Sequence, residues 1–287
     1  MKLKYILGIG LGLMIIGGLT AGLSYASGAQ TSLTWEGGPR IIEMTREIKD
    51  FSSEKIEKIV VRADHQNIMI QRGVNFEVET SHDKAQKPKI NLEDHTLDIS
   101  ADGQTPAVMI NVTDTRSMLK ITIPKTISLK ELVIEGKNNE LFLDEFSSKN
   151  INLNLANTWT SINEVSGELL TVENQMGSLD LQEFSIDKVK LATSDGSIIF
   201  NDNEKSIKGE VTLHNSSIDF YNNQEQGLAV TLEGDSYINK NYESLTTKTY
   251  NQGNKDLKVT AYNSQVNLTN EDYEEPPMDD KDYGEYD

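Results

Sequence analysis

Glu145, Glu164, Glu183 and Asp202 set a carboxylate at every nineteenth position across four units of this chain. If each interval is one lap of a coil, the four groups stack about 5 Å apart. Neighbouring charges at that distance in water repel by ~0.8 kcal/mol per pair. Such a column is either a stripe for a divalent cation or cationic ligand, or a set of solvated corner residues screened by salt. The residues alone leave both open. Phe142, Ile199 and Ile238 recur at an outward position and form a second candidate, an apolar contact patch. Beyond these, little chemistry is visible. The four histidines, His65, His82, His95 and His214, share no metal-ligand spacing. There is no nucleophile elbow and no phosphate-binding glycine loop. Asp280-Lys281-Asp282 opens like a calcium loop but lacks its later ligands. Asn111, Asn215 and Asn267 head glycosylation sequons that fall in strands or corners. No catalytic residue, cofactor or resident metal is expected.

What must position the carboxylates is a repeat. The pairs Leu132/Ile134, Ile151/Leu153, Leu170/Val172, Val189/Leu191, Gly209/Val211, Leu228/Val230 and Leu257/Val259 begin 19, 19, 19, 20, 19 and 29 residues apart. Each is followed by a second pair: Leu141/Leu143, Thr160/Ile162, Leu179/Leu181, Ile198/Phe200, Ile218/Phe220, Tyr237/Asn239 and Val266/Leu268. Apolar residues two apart with polar ones between are strand spacing. Between the two strands stand dipeptides such as Asn138-Asn139, Asn157-Thr158, Asp195-Gly196 and Asn263-Ser264. Asn, Asp and Gly tolerate the left-handed backbone of a sharp corner. A fixed period near 20 marks a solenoid. The expected fold is all-β, a parallel β-solenoid with rungs of about 19 residues, each laid on the last. Val61, Ile68 and Ile70 fit the same template, and the alternating stretches 76–80, 89–100 and 108–123 read as a less regular N-terminal β section capping the stack.

The two ends differ from the repeat. Lys2 and Lys4 precede an uncharged run from Tyr5 to Leu23, close to the ~20 residues that cross a bilayer. Ser24-Tyr25-Ala26 also offers a small-x-small cleavage pattern, so secretion after signal cleavage is the alternative to one transmembrane helix. Either way the basic end stays in the cytoplasm and the rest is exported. Residues 271–287 hold nine acidic groups and one basic, and cannot bury enough surface to fold alone. The organisation read from the chain is therefore 1–25 anchor or signal, 26–40 linker, 41–130 irregular β section, 131–270 solenoid and 271–287 disordered acidic tail. The absence of cysteine removes disulfides and thiolate metal sites. A net charge of −18 argues against nucleic acid as a partner.

Ile59-Val-Val-Arg-Ala-Asp64 leading into Ile68-Met-Ile70, then Leu119-Lys-Ile-Thr-Ile-Pro124, the Leu132-Val-Ile134 series and the corner Thr193-Ser-Asp-Gly-Ser197 resemble a known family. It is the bacterial adhesin-type domain family of unknown function, which includes the LiaG-like cell-envelope proteins of Gram-positive stress operons. The resemblance runs from about residue 41 to 269. It implies a β-strand-repeat fold outside the membrane, no established enzymatic activity and no functional residue to carry over. The resulting expectation is a membrane-anchored extracytoplasmic binding protein, adhesin-like or an envelope-stress accessory. Its partner would be a cell-wall polymer or an envelope protein. A polysaccharide-acting β-helix enzyme and a regulatory partner of a membrane sensor are the alternatives.

Overall fold

The structure, a computed structural model, describes residues 2–26, 33–35, 38–103, 116–201, 206–221, 226–240 and 243–269. Helix α1 (Lys2–Ala26) comes first. Strands β1 (Leu33–Trp35) and β2 (Pro39–Ile41) pair as a short antiparallel hairpin. The rest of the chain is strand: β3 (Met44–Asp50), β4 (Lys58–Asp64), β5 (Asn67–Gly73), β6 (Glu77–Asp83), β7 (Lys89–Glu93), β8 (Thr96–Asp102) and β9 (Met118–Pro124) open it. The regular body follows as β10 (Leu129–Lys137), β11 (Glu140–Asp144), β12 (Ser148–Ala156), β13 (Trp159–Asn163), β14 (Ser166–Gln175), β15 (Ser178–Gln182), β16 (Ser185–Ser194), β17 (Ser197–Asn201), β18 (Gly209–His214) and β19 (Ser217–Tyr221). The chain closes with β20 (Leu228–Glu233), β21 (Tyr237–Lys240), β22 (Glu243–Leu245), β23 (Thr249–Gln252), β24 (Leu257–Tyr262) and β25 (Gln265–Thr269).

These strands build two facing sheets. The first, of eleven strands, runs β23-β20-β24-β18-β16-β14-β12-β10-β4-β8-β7, and the second, of twelve, runs β22-β21-β25-β19-β17-β15-β13-β11-β5-β9-β6-β3. Removing the antiparallel edge strands leaves nine parallel strands in each, hence nine rungs among the described residues. At about 4.8 Å per rung the stack is on the order of 40 Å long. The parallel β-solenoid expected from the period is therefore the observed architecture. Leu143, Ile162, Leu181 and Phe200 lie in direct register on successive rungs. Their columns face Ile134, Leu153, Val172 and Leu191 across the core, and all are buried. Phe200 stacks on Phe220 with ring centroids 5.2 Å apart.

The corner dipeptides act as their chemistry requires. The first residue takes a positive φ in every case: His65, Asn138, Asn157, Met176, Asp195, Asn215, Gly234 and Asn263. The second residue turns inward. Where it is glycine, the next rung's backbone is close: a Cβ on Gly196 would lie 2.2 Å from the Gly177 carbonyl oxygen. Elsewhere it is most often a buried hydroxyl that accepts from a neighbouring rung; Asn139 does the same through its amide oxygen, and at the Gly234 corner Ser236 does so one place later. Ser216 Oγ takes the Gly196 N–H at 3.2 Å, and Ser264 Oγ takes the Ser216 N–H at 3.0 Å. Every corner donor so paired avoids the penalty of a buried orphan.

The ends depart from simple succession. The N-terminal section contributes two full rungs, β4/β5 and β8/β9, but β8/β9 lies outside β4/β5 while β10/β11 returns to its other side. At the other end β24/β25 lies between β18/β19 and β20/β21, so the last rung in sequence is second to last in space. The expectation that each lap lies on the one before it holds only in the body. One physical reason is Lys240. Direct stacking of β21 on β19 would aim it at buried Phe220, where the interposed strand supplies Leu268 instead. The extra residues before Leu257 form β22 and β23, antiparallel strands that cover the exposed edges of β21 and β20.

Candidate functional site

Three of the four carboxylates lie among the described residues, and their backbone is unusual. Glu145, Glu164 and Glu183 occupy the second corner of successive rungs, each at positive φ (51°, 48° and 45°). Their amides tie rung to rung: Glu145 N–H donates to Asn163 O at 3.1 Å and Glu164 N–H to Gln182 O at 3.3 Å. The left-handed turn lets the following residues, Phe146, Val165 and Phe184, drop into the core, where all three are buried. Nothing in the residue types signalled this second left-handed corner, since glutamate disfavours it by ~1 kcal/mol or more. Glu145 pairs with Arg72 at 3.3 Å. Glu164 and Glu183 stand exposed. Asp202 lies outside the described residues, as do the acidic tail, Asn111 and most of the linker. Among the described residues no group of three or more His, Asp or Glu is arranged to hold a metal ion.

The apolar patch is corrected. Phe142 and Ile199 do lie half-buried on the outer face of the second sheet, but Ser161 and Asp180 separate them in their column. Ile238 does not face outward at all. It is fully buried and sits in register with Val266. The corner between β20 and β21, at Gly234-Asp235, is one residue longer than its neighbours, so the strand alternation is shifted by one and Tyr237 and Asn239 point out.

Instead, the two outer faces differ in kind. The first sheet shows mixed charge: Lys58 pairs with Glu131 at 2.6 Å, Arg62 with Asp98 at 2.9 Å, and Lys188, Lys190, Glu173 and Lys258 are exposed. An open groove near its first corner is lined by Asn154, Glu173, Asn174, Ala192, Thr193 and His214, among others. The second sheet carries no lysine or arginine in β11, β13, β15, β17, β19 or β25. Its outer face is amide, hydroxyl, carboxylate and aromatic, with Glu140, Asp144, Asp180 and Asp219 among the outward residues. Trp159 is 45% exposed and meets Phe142 edge-on, ring centroids 5.0 Å apart. Asn163 Nδ2 donates to Asp144 at 2.8 Å, Asn267 Nδ2 to Asp219 at 2.6 Å and Asn239 Nδ2 to Asn267 at 3.1 Å. These amide steps follow the rungs and hold the side chains in line.

Two aspartates stand out on this face. Burial pushes the Asp180 carboxyl above its ordinary value, and its buried Oδ1 finds no partner within the described protein. Burial likewise raises Asp219, against the opposing effect of hydrogen bonds from Asn267 and Ser217. Both lie in one column with Ile199 between them. The sequence pattern does not single out Trp159, Asp180 and Asp219, because at the outward positions the period picks out recurring apolar residues. Aligning the outward ones, Glu140, Trp159, Ser178, Ser197 and Ser217, shows a single tryptophan among small or polar residues.

Among the described residues no helix is long and apolar enough to cross a membrane. The chain has been compared with known proteins. No curated protein matches it. Of the solved structures, a "putative adhesin" from Parabacteroides distasonis is 13% identical, with 79% of this chain and 97% of that one covered and a TM-score of 0.46. A "putative cell adhesion protein" from Clostridium sporogenes is 12% identical over 79% of this chain and all of the other, with a TM-score of 0.40. The family profile described as Toastrack DUF4097 matches residues 56–243, from just before β4 to the start of β22. The match covers well over half of the sequence, and the chain belongs to the Toastrack DUF4097 family.

Proposed function

We infer that this protein is an adhesin-like binding protein of the bacterial envelope, and that it works through the outer face of the second sheet. The observation that carries the reading is the contrast between faces. Six adjacent strands of the second sheet lack any cation while presenting an aromatic shelf beside ordered amides and hydroxyls. A sugar ring offers an apolar C–H face to Trp159 and Phe142 and hydroxyls to Asn163, Gln182 and Ser161. An anionic polymer or a nucleic acid would meet carboxylates without compensating cations. The partner class is therefore a neutral, hydroxyl-rich cell-wall polymer.

Tethering belongs to the same proposal. The run from Tyr5 to Leu23 matches a bilayer in length, and described apolar side chains of α1, such as Leu13, Met14 and Ile15, are exposed. A membrane-held solenoid would present its ladder outside the cell, as an envelope-stress accessory or a plain adhesin. The anchor would keep the basic Lys2 and Lys4 inside. Binding, without turnover, is the activity proposed. The alternative, an enzyme, has one candidate acid–base pair on this face, Asp180 and Asp219, two rungs and so roughly 10 Å apart.

The test is co-sedimentation of the full-length protein with purified cell walls before and after removal of their anionic polymers, alongside an assay for newly released reducing ends. Retention on the stripped walls with no new reducing ends is the expected outcome. Loss of binding on stripping would assign the partner to the anionic polymer and overturn the reading. Release of sugar that depends on Asp180 or Asp219 would make the protein an enzyme.

A further inference from the structure

The placement of β24/β25 carries a consequence for association. The rung β20/β21 follows β18/β19 at the spacing of 19 to 20 residues that elsewhere stacks one rung directly on the next. Direct stacking would oppose Val230 to Val211 and Ile238 to Ile218, apolar in both cases, with Lys240 against Phe220 as its one mismatch. Instead the slot between them is filled by a rung made later in the chain, which pairs in parallel on both sides. The filler arrives through a short connection. Only residues 253–256 join β23 to β24, Gly253 and Lys255 both take positive φ (56° and 57°), and the segment crosses tightly over Gly227. Short, strained connections favour exchange of the element they carry. The family match, ending at residue 243, does not include the inserted rung.

We propose that two copies of this chain exchange their last rung, each placing β24/β25 in the slot between β18/β19 and β20/β21 of the other. The slot reads strand register, the apolar inward residues Leu257, Val259, Val266 and Leu268, and the polar contacts of Ser264 and Asn267, and a second copy supplies the same rung with all of them. The intramolecular insert has an effective concentration on the order of millimolar. Exchange therefore grows with local protein concentration, which a planar array would raise. Stacked end by end through a closed reciprocal swap, the product is a two-fold dimer and not a fibre.

The chain has no cysteine, so the test is free of background. Thr212 and Thr260 face each other in register on β18 and β24, at a separation that a disulfide spans. Full-length Thr212→Cys and isotopically labelled Thr260→Cys chains are mixed, unfolded, refolded together over a range of concentrations and oxidised. The expected product is a disulfide-linked pair of one labelled and one unlabelled chain, its yield rising at least tenfold from micromolar to near-millimolar protein. A Thr171→Cys plus Thr260→Cys mixture, on strands that are not neighbours, should give none. The proposal is overturned if the Thr212→Cys/Thr260→Cys double variant closes within single chains while the mixed single variants stay unlinked at every concentration. It is overturned equally if the control mixture links as well as the test mixture.

Discussion

The two sheets share one core and show different outer faces. The first sheet sets lysine and arginine among glutamates, with ion pairs such as Lys58–Glu131 and Arg62–Asp98 crossing neighbouring rungs. The second shows amides, hydroxyls, carboxylates, Trp159 and Phe142, and its described lysines and arginines, Arg46, Lys49, Arg72, Lys120 and Lys240, lie toward the two ends of the stack. Inward residues cannot explain the difference, since both sheets bury the same kinds of aliphatic side chain. Mixed charge on a sheet face keeps it soluble and discourages further pairing. A face that gives up that protection over six strands, and keeps two aspartates at raised pKa, carries a cost that stability does not repay. On the proposed reading, this is the face that meets the partner.

The comparison breaks most completely if the shared core is damaged. Ile162→Ala should destabilise the protein by about 3 kcal/mol in denaturant unfolding, because a fully buried side chain between two registered neighbours leaves a cavity that rigid rungs cannot close. Both faces should fail together; loss confined to one would mean that the sheets are not one cooperative unit. A milder change sharpens it. Thr160 points inward beside Trp159, fully buried, and its hydroxyl has no hydrogen-bond partner within the described protein. Thr160→Val should therefore raise stability by about 1 kcal/mol while leaving the second face's outward chemistry intact. A loss of stability would show that the hydroxyl is satisfied.

Asp219→Asn addresses the cost directly. The folded-state pKa of Asp219 lies above its reference of 3.8, so folding favours the protonated form, and stability falls as pH rises from 3.8 through the raised value. Removing the charge should give the variant a higher Tm at neutral pH, with the advantage shrinking as the pH drops toward 3.8. A constant difference at all pH values would locate the effect elsewhere. The smallest effect belongs to the first face. Arg62→Ala removes exposed ion pairs to Asp98 and Glu135 and should lower the denaturation midpoint only slightly, and less at high salt.

How much of this was legible beforehand depends on which residues carried the signal. The coil was readable because Leu143, Ile162 and Leu181 repeat at a fixed interval, and the first corner because Asn138, Asn157 and Asp195 advertise a left-handed turn. The second corner was silent: Glu145, Glu164 and Glu183 adopt the same conformation against their preference, held by the stack. The end topology was hidden too, since a period specifies which residues face in but not which rung lies beside which. Ile238 was misplaced because one added residue at Gly234-Asp235 reverses a strand's two faces. Trp159 was overlooked because periodicity weighs apolar residues for the core, and an outward tryptophan breaks no pattern.

The central claim, that the second sheet's outer face is the binding surface, is tested most directly by one titration. A soluble neutral amino-sugar oligomer is titrated calorimetrically into the full-length protein, its Trp159→Ala variant and its Lys190→Ala variant. The account predicts a Kd at least tenfold weaker for Trp159→Ala and unchanged for Lys190→Ala, with all three proteins equally folded. Equal affinity in all three, or a loss on Lys190→Ala instead, would contradict it.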